Sequence, residues 1–356
     1  MKINFLIPTT GLTGGVKVII EYANRLSARG HEVALVYPYI LPLRPTGRTV
    51  IFGYLKIARR FILRLLNRGP ETAWPLDARV KILRLKDLAT RRVPDADVCV
   101  ATANRTADWL NTYPPEKGRK FYFIQDYEVW DREPAAVDAT WRMPFKKIVI
   151  SESLAALAGE KFQAEVAVVP DGVDRTMFNN PQPKIYGDRI NVLLMYHPLP
   201  KKGIADGLAA FDEAKKKFPN LELVMFGAYR PGQAIPVGVP YHYRPTPAEL
   251  RELYSTADIF LWPSRVEGFG LPPLEAMACR AAVITTDTGA ARYYANDGEA
   301  GIIVPPARPD LLAAALIDLA GDSQKLAALS AAAYRRAPIF DWEKSVDRLE
   351  KLFLQK

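Results

Sequence analysis

Cysteine is nearly absent. Cys99 and Cys279 are the only two in 356 residues, and each sits inside an apolar run, Val98-Cys99-Val100 and Met277-Ala278-Cys279. Two isolated thiols build neither a disulfide framework nor a thiolate metal cage, and they suit a reducing cytosol. Long hydrophobic runs are missing as well. No stretch reaches the ~18 apolar residues of a membrane-spanning helix, and Met1–Ile7 reads as a short strand rather than a signal peptide. Internal repeats and low-complexity tracts are also lacking. Acidic residues disappear altogether between Glu32 and Glu71, a gap that holds Arg44, Arg48, Lys56, Arg59, Arg60, Arg64 and Arg68.

What is present is ordinary for a globular chain. Apolar residues make up 49% and charged residues 24%, too apolar for disorder, and at about 150 residues per domain the length predicts two domains. The net charge of +9 is lopsided, because residues 1–180 hold 27 basic and 19 acidic residues. That asymmetry predicts an anionic surface as partner. Within the gap, Tyr54–Arg68 places Leu55, Ala58, Phe61, Ile62, Leu65 and Leu66 on one helical arc and Lys56, Arg60, Arg64 and Asn67 opposite. Such a helix suits an anionic membrane interface, and a cytoplasmic protein held peripherally on the inner face is expected. No nucleic-acid motif accompanies the charge, so nucleic acid is not expected as a partner.

Strand and helix patterns alternate. Strands are predicted at Lys2–Pro8, Glu32–Pro38, Lys81–Leu85, Asp97–Ala101, Lys120–Gln125, Lys146–Ser151 and Glu165–Pro170, with a helix over Val16–Arg29 and another opening at Ser151. Pro170, Asp171-Gly172, Pro181 and Pro183 then mark a linker. Alternation resumes with strand Ile190–Tyr196, helix Lys202–Lys217, strand Leu221–Phe226, a capping box at Thr246-Pro247-Ala248-Glu249, strand Asp258–Trp262, helix Pro272–Cys279 and strand Ala282–Thr286. Helices Asp310–Ala320, Ser323–Arg336 and Trp342–Gln355 close the chain. The pattern predicts two doubly wound parallel-sheet domains, each binding ligand beyond the carboxyl ends of its strands.

The segment Pro263-Ser264-Arg265-Val266-Glu267-Gly268-Phe269-Gly270-Leu271-Pro272-Pro273-Leu274-Glu275-Ala276-Met277 follows a strand and opens a helix. Gly268 and Gly270 allow close backbone approach or positive φ, and Pro272 and Pro273 fit a first helical turn. The N–H groups of Phe269, Gly270 and Leu271 then form an anion site on a helix dipole. Glu267 and Glu275 flank that site, and carboxylates there suit sugar and ribose hydroxyls. Asp95-Ala96-Asp97 has the form of a metal-binding Asp-x-Asp but reads as a turn, so no metal is expected. Gly11-Leu12-Thr13-Gly14 falls short of a dinucleotide fingerprint, and His31 reads as a turn residue.

This segment resembles the donor-binding motif of retaining glycosyltransferases of family 4, which have the GT-B fold. Several further stretches, in chain order, resemble the same family: Gly14-Gly15 before the first helix, Arg29-Gly30-His31-Glu32-Val33, Pro170-Asp171-Gly172-Val173-Asp174 with Phe178, Lys202-Gly203 after Tyr196-His197-Pro198, and Tyr254-Ser255-Thr256-Ala257-Asp258. The resemblance implies two Rossmann-like domains facing across a cleft. Residues 1–180 would hold the acceptor and be rejoined by helix 342–356, and residues 181–341 would hold the nucleotide-sugar donor. It implies transfer of a hexosyl or deoxyhexosyl group to a glycan or lipid-linked acceptor with retention, in cell-surface polysaccharide synthesis, with the nucleotide sugar as co-substrate and no cofactor. The catalytic set would be Glu267, Lys202 and Asp126. Glu275, Gly268, Phe269, Gly270, Leu271, His197 and Tyr196 would bind donor, and Gly14 and Gly15 would form the acceptor and diphosphate loop. The family usually carries an arginine where Tyr196 and His197 stand; Arg280 reads as a surface residue, with replacement of that charge as the alternative. A nucleotide-sugar epimerase or a non-catalytic glycan-binding protein of the same fold is the alternative.

Overall fold

The computed structural model describes residues 1–11, 13–38, 74–130, 132–230 and 235–355. The basic segment Tyr54–Arg68 lies outside the described residues.

Two parallel sheets dominate. The first runs in the order β3-β2-β1-β4-β5-β6-β7, with β1 Lys2–Leu6, β2 Glu32–Pro38, β3 Lys81–Leu85, β4 Val98–Ala101, β5 Arg119–Ile124, β6 Lys146–Val149 and β7 Val166–Val168. The second runs β10-β9-β8-β11-β12-β13, with β8 Ile190–Met195, β9 Leu221–Gly227, β10 Tyr241–Tyr243, β11 Ile259–Trp262, β12 Ala282–Thr286 and β13 Ile302–Val304. In each sheet the strand order reverses beside the first strand, at β1/β4 and at β8/β11. Strands covered on both faces read as continuous apolar runs. β2, β4 and β11 do so, while buried Asn4 interrupts β1 and buried Thr285 and Thr286 end β12; the apolar side chains of all five are buried.

Among the described residues, the helices are α1 Gly14–Ala28, α2 Asn104–Asn111, α3 Pro134–Trp141, α4 Glu152–Phe162, α5 Ile204–Lys217, α6 Pro247–Thr256, α7 Leu271–Ala278, α8 Ala291–Tyr294, α9 Pro309–Gly321, α10 Ser323–Arg336 and α11 Trp342–Leu354. Helix α1 starts two residues ahead of the predicted Val16, because Thr13 caps it by accepting the Val16 N–H. The capping box predicted at Thr246 and Glu249 is formed in both directions.

By internal contact the chain divides into two compact units, Met1–Ile124 with Glu128–Lys147, and Gln125–Tyr127 with Ile148–Lys356. In the second unit, α5 and α9 pack over β8, β9 and β12 through Ala210, Phe211, Ala214, Leu312, Leu316 and Leu319. Helix α11 is tied to the 170–173 segment, since the Ser345 hydroxyl donates to the Pro170 carbonyl at 2.6 Å and Val173 bridges to Asp341. Cys99 and Cys279 are buried free thiols, pushed up to about 12 by desolvation and so unreactive at neutral pH. Among the described residues, no helix is long and apolar enough to cross a membrane.

Candidate functional site

Open parallel sheets bind ligands where their strand order reverses. In the second sheet that point lies between β8 and β11, and the loops after these two strands carry most of the motif residues. After β8 the chain passes Tyr196 and His197 and enters a single tight turn, Pro200–Lys202, ended by Gly203 at φ 64°. Lys202 therefore stands on this turn rather than in the helix predicted to begin there; α5 starts at Ile204. A side chain at Gly203 would begin 1.9 Å from the Pro263 carbonyl oxygen, so only glycine lets the two loops meet. The Lys201 carbonyl then accepts from the Arg265 N–H at 2.7 Å and the Ser264 hydroxyl at 3.2 Å. Arg265 returns across the seam to grip Asp206 with two bonds of 2.8 Å.

This stitching brings Lys202 Nζ to 2.6 Å from Glu267 Oε1, with the side chains only 18% and 11% exposed. The ammonium lies 5.7 Å from the centre of the Trp262 ring, and the buried Trp262 indole N–H has no acceptor among the described residues. Next to it, Lys201 Nζ pairs with Asp126 Oδ2 at 2.9 Å. Gly268 faces the same loop as Asp126: a side chain there would begin 1.8 Å from the Gln125 carbonyl oxygen. Close approach is thus the reason for glycine at 268, and a φ of 110° is the reason at 270.

Gly270 precedes α7, whose first turn holds Leu271, Pro272 and Pro273 and no acidic residue. Among the described residues, the N–H groups of Phe269, Gly270 and Leu271 make no hydrogen bond. They leave the positive end of the helix dipole open to an anion. One turn in, Glu275 is buried and accepts from the Tyr254 hydroxyl at 3.1 Å. Burial and the Glu275 charge together raise the Tyr254 hydroxyl well above its ordinary value, so it stays a donor. Phe178, Phe226 and Phe260 hold its ring edge-on.

His197 accepts the Leu199 N–H at Nδ1, at 3.1 Å, so the neutral ring carries its proton on Nε2. Burial, with the Lys202 and Lys201 charges, lowers its pKa to about 4. Tyr196 is buried, its ring edge-on to Tyr241. Arg280 is used elsewhere. It stacks on Tyr334 and donates to the Asn180 and Pro181 carbonyls, just past the far end of α7, about 12 Å of helix from the anion site.

In the first unit, Gly14 and Gly15 form the first turn of α1, next after β1 in the chain. The Asp-x-Asp lies in an irregular stretch leading into β4, with both carboxylates engaged: Asp95 pairs with Lys117 at 2.7 Å and Asp97 accepts the Lys2 N–H at 2.7 Å. His31 sits in its turn against the N-terminal amine. Among the described residues, no group of His, Cys, Asp and Glu side chains is arranged to hold a metal ion. Sequence reading missed Lys201, Trp262 and the Tyr254–Glu275 bond. Lys201 had a signal, since a glycine-ended turn places both of its lysines beside the same loop.

Residues 178–336 match the family model of glycosyl transferases group 1. A D-inositol 3-phosphate glycosyltransferase of Thermobispora bispora is 38% identical over 107 residues, 30% of this chain and 25% of that protein. The O-antigen biosynthesis protein RfbC of Myxococcus xanthus is 29% identical over 287 residues, 76% of this chain and 22% of that protein. The chain thus spans about a quarter of the length of these two relatives. Among solved structures, Anabaena HepE in complex with UDP-glucose matches with a TM-score of 0.72 at 16% identity, covering 99% of each chain. Residues 178–336 thus resemble glycosyl transferases group 1, on a chain with the GT-B fold of two parallel-sheet α/β domains.

Proposed function

We propose that the protein is a glycosyltransferase that moves a hexosyl or deoxyhexosyl group from a nucleotide sugar to a hydroxyl of a glycan or lipid-linked acceptor, with retention, in cell-surface polysaccharide synthesis. The observation that carries this reading is the Lys202–Glu267 pair set in the same loop system as the unbonded N–H groups at the start of α7. A bound diphosphate takes the Lys202 ammonium and those N–H groups, which stabilise the charge that grows on it as the sugar leaves. Glu267, released from Lys202, accepts hydrogen bonds from the sugar hydroxyls, and Glu275 accepts them from the ribose. His197 Nε2–H donates to the phosphate without a fixed charge.

In the transfer, the bond from the anomeric carbon to the diphosphate oxygen breaks. The acceptor oxygen bonds to that carbon on the same face, and its proton passes to the departing diphosphate. With Lys202 and the helix start carrying the diphosphate charge, no metal is needed. Asp126, held by Lys201, borders the acceptor side, and Gly14 and Gly15 remain the proposed acceptor loop on the first unit.

The UDP-glucose bound to HepE makes UDP-sugars the first donors to test. At a hundredfold excess over Kd, a true donor adds about 2.7 kcal/mol of stability, a rise in Tm of roughly 5–10 °C for a domain of this size. Glu275→Gln and Lys202→Ala should each lose most of that rise and transfer at least roughly tenfold slower. If no nucleotide sugar shifts the melt, or if both variants keep wild-type rates on the donor that does, the reading fails. EDTA should leave the rate unchanged; loss that Mg²⁺ or Mn²⁺ restores would remove the metal-free step. Product analysis without acceptor separates transfer from epimerisation.

A further inference from the structure

The loop after β12 lines a cavity that none of the residues above occupies. It has a volume of about 540 Å³, within the roughly 300–1,000 Å³ of small-molecule sites. Its walls include Glu152 and Ser153 from the first turn of α4, Asp287 and Arg292 around α8, Tyr293, and Arg336 at the end of α10.

The lining selects a chemistry. Two carboxylates and two guanidiniums cancel in formal charge, and Asp287 already grips Arg292 through bonds of 2.9 and 2.5 Å. A phosphate finds no net positive field here. A hydroxyl fits, because it donates to a carboxylate and accepts from a guanidinium. Arg336 has such a donor unused: its Nη2 donates to the Tyr293 carbonyl at 2.8 Å, while its buried Nε has no partner among the described residues. A buried donor left without an acceptor is destabilising, and a ligand oxygen or a water satisfies it. Tyr293, 37% exposed, adds an aromatic surface for the C–H face of a pyranose ring.

The cavity also shares a wall with the donor loop. The Ala290 N–H donates to the Phe269 carbonyl at 3.1 Å, and a side chain at Gly289 would begin 3.0 Å from the Glu267 Cβ. We propose that this cavity is a saccharide subsite that holds a sugar unit of the acceptor glycan, so that one loop, Asp287–Ala290, backs the donor motif and lines the acceptor. The word acceptor rests on the glycosyltransferase reading above.

The test is saturation-transfer NMR on the full chain, with methyl α- and β-glycosides of glucose, galactose, mannose and N-acetylglucosamine as probes and inorganic phosphate as a separate arm. At least one glycoside should receive saturation. Ser153→Tyr, which fills the cavity from an exposed helix position, should abolish the signal. Arg336→Gln should weaken binding roughly tenfold. Both variants should keep the wild-type melting shift with nucleotide sugar. Silence from every glycoside, a signal unchanged by Ser153→Tyr, or phosphate displacing the glycosides each overturns the proposal. Glycoside binding in a chain that binds no nucleotide sugar sinks the transferase reading instead, and the acceptor role with it.

Discussion

His197 stands where the family resemblance implies an arginine, and its surroundings keep it uncharged at neutral pH. Burial is the first cause, and the Lys202 and Lys201 ammonium groups add to it, bringing its pKa to about 4. The folded state therefore binds fewer protons at this position than the unfolded chain, whose histidine titrates near 6.5. The neutral ring's contribution to stability is fully present above about pH 6.5 and is lost as pH falls through the window down to about 4. Ring-carbon NMR should show His197 neutral at pH 5.5, and Lys202→Met should move its titration upward only part of the way, because burial remains. A midpoint at the free value in the wild type would refute this. Tyr254 is the second residue whose role is positional. Tyr254→Phe removes one donor to Glu275, a bond to a charged group worth ~1.5–3 kcal/mol. Nucleotide affinity by calorimetry should drop roughly ten- to a hundredfold, by more than any fall in Tm accounts for. A variant that loses stability but binds nucleotide normally would make Tyr254 a packing residue only.

Elements explain which parts of the site could be read in advance. Glu267, Gly268, Gly270 and Glu275 were legible because loop and helix start are contiguous in sequence, and the spacing of glycine, proline and carboxylate follows from one strand–loop–helix passage. The long strands were legible as apolar runs. β10, β13, α2 and α3 were not, although β7 and α7 are equally short and were read, and α8 is a single four-residue turn too short for a period. The pairings Lys201–Asp126 and Tyr254–Glu275 join elements 75 and 21 residues apart, and no local pattern announces them. The turn before α5 shows how a single residue displaces an element. A helix reads naturally through Lys202, but Gly203 takes the left-handed conformation to pass Pro263 and resets the helix start. Gly203→Ala should therefore cost both the positive φ, about 1–2 kcal/mol, and the clash. Tm should fall by at least roughly 2–8 °C, with nucleotide binding weakened because the two loops separate. A variant with wild-type Tm would show that the seam can open without cost.

At the scale of the whole molecule, charge is the feature that the described fold does not use. Residues 1–180 carry 27 basic against 19 acidic residues, and the rest of the chain is nearly neutral. The donor loops balance their own charges: Lys201 with Asp126, Lys202 with Glu267 and Arg265 with Asp206. The excess is concentrated in the Glu32–Glu71 gap, whose second half has the periodicity of an amphipathic helix. Each basic residue near an anionic bilayer contributes about 1 kcal/mol, and apolar insertion adds to it. Under the proposed function, a lipid-linked acceptor would give such a surface a purpose, since it would bring the protein to where that acceptor lies. The chain should sediment with vesicles that contain anionic lipid, and less so as salt rises. Changing Lys56, Arg60 and Arg64 together to Glu should release it while the melting shift with nucleotide sugar stays as in the wild type. Sedimentation with neutral vesicles supplies the contrast. Equal, negligible binding to both would remove the membrane role and leave the donor site untouched.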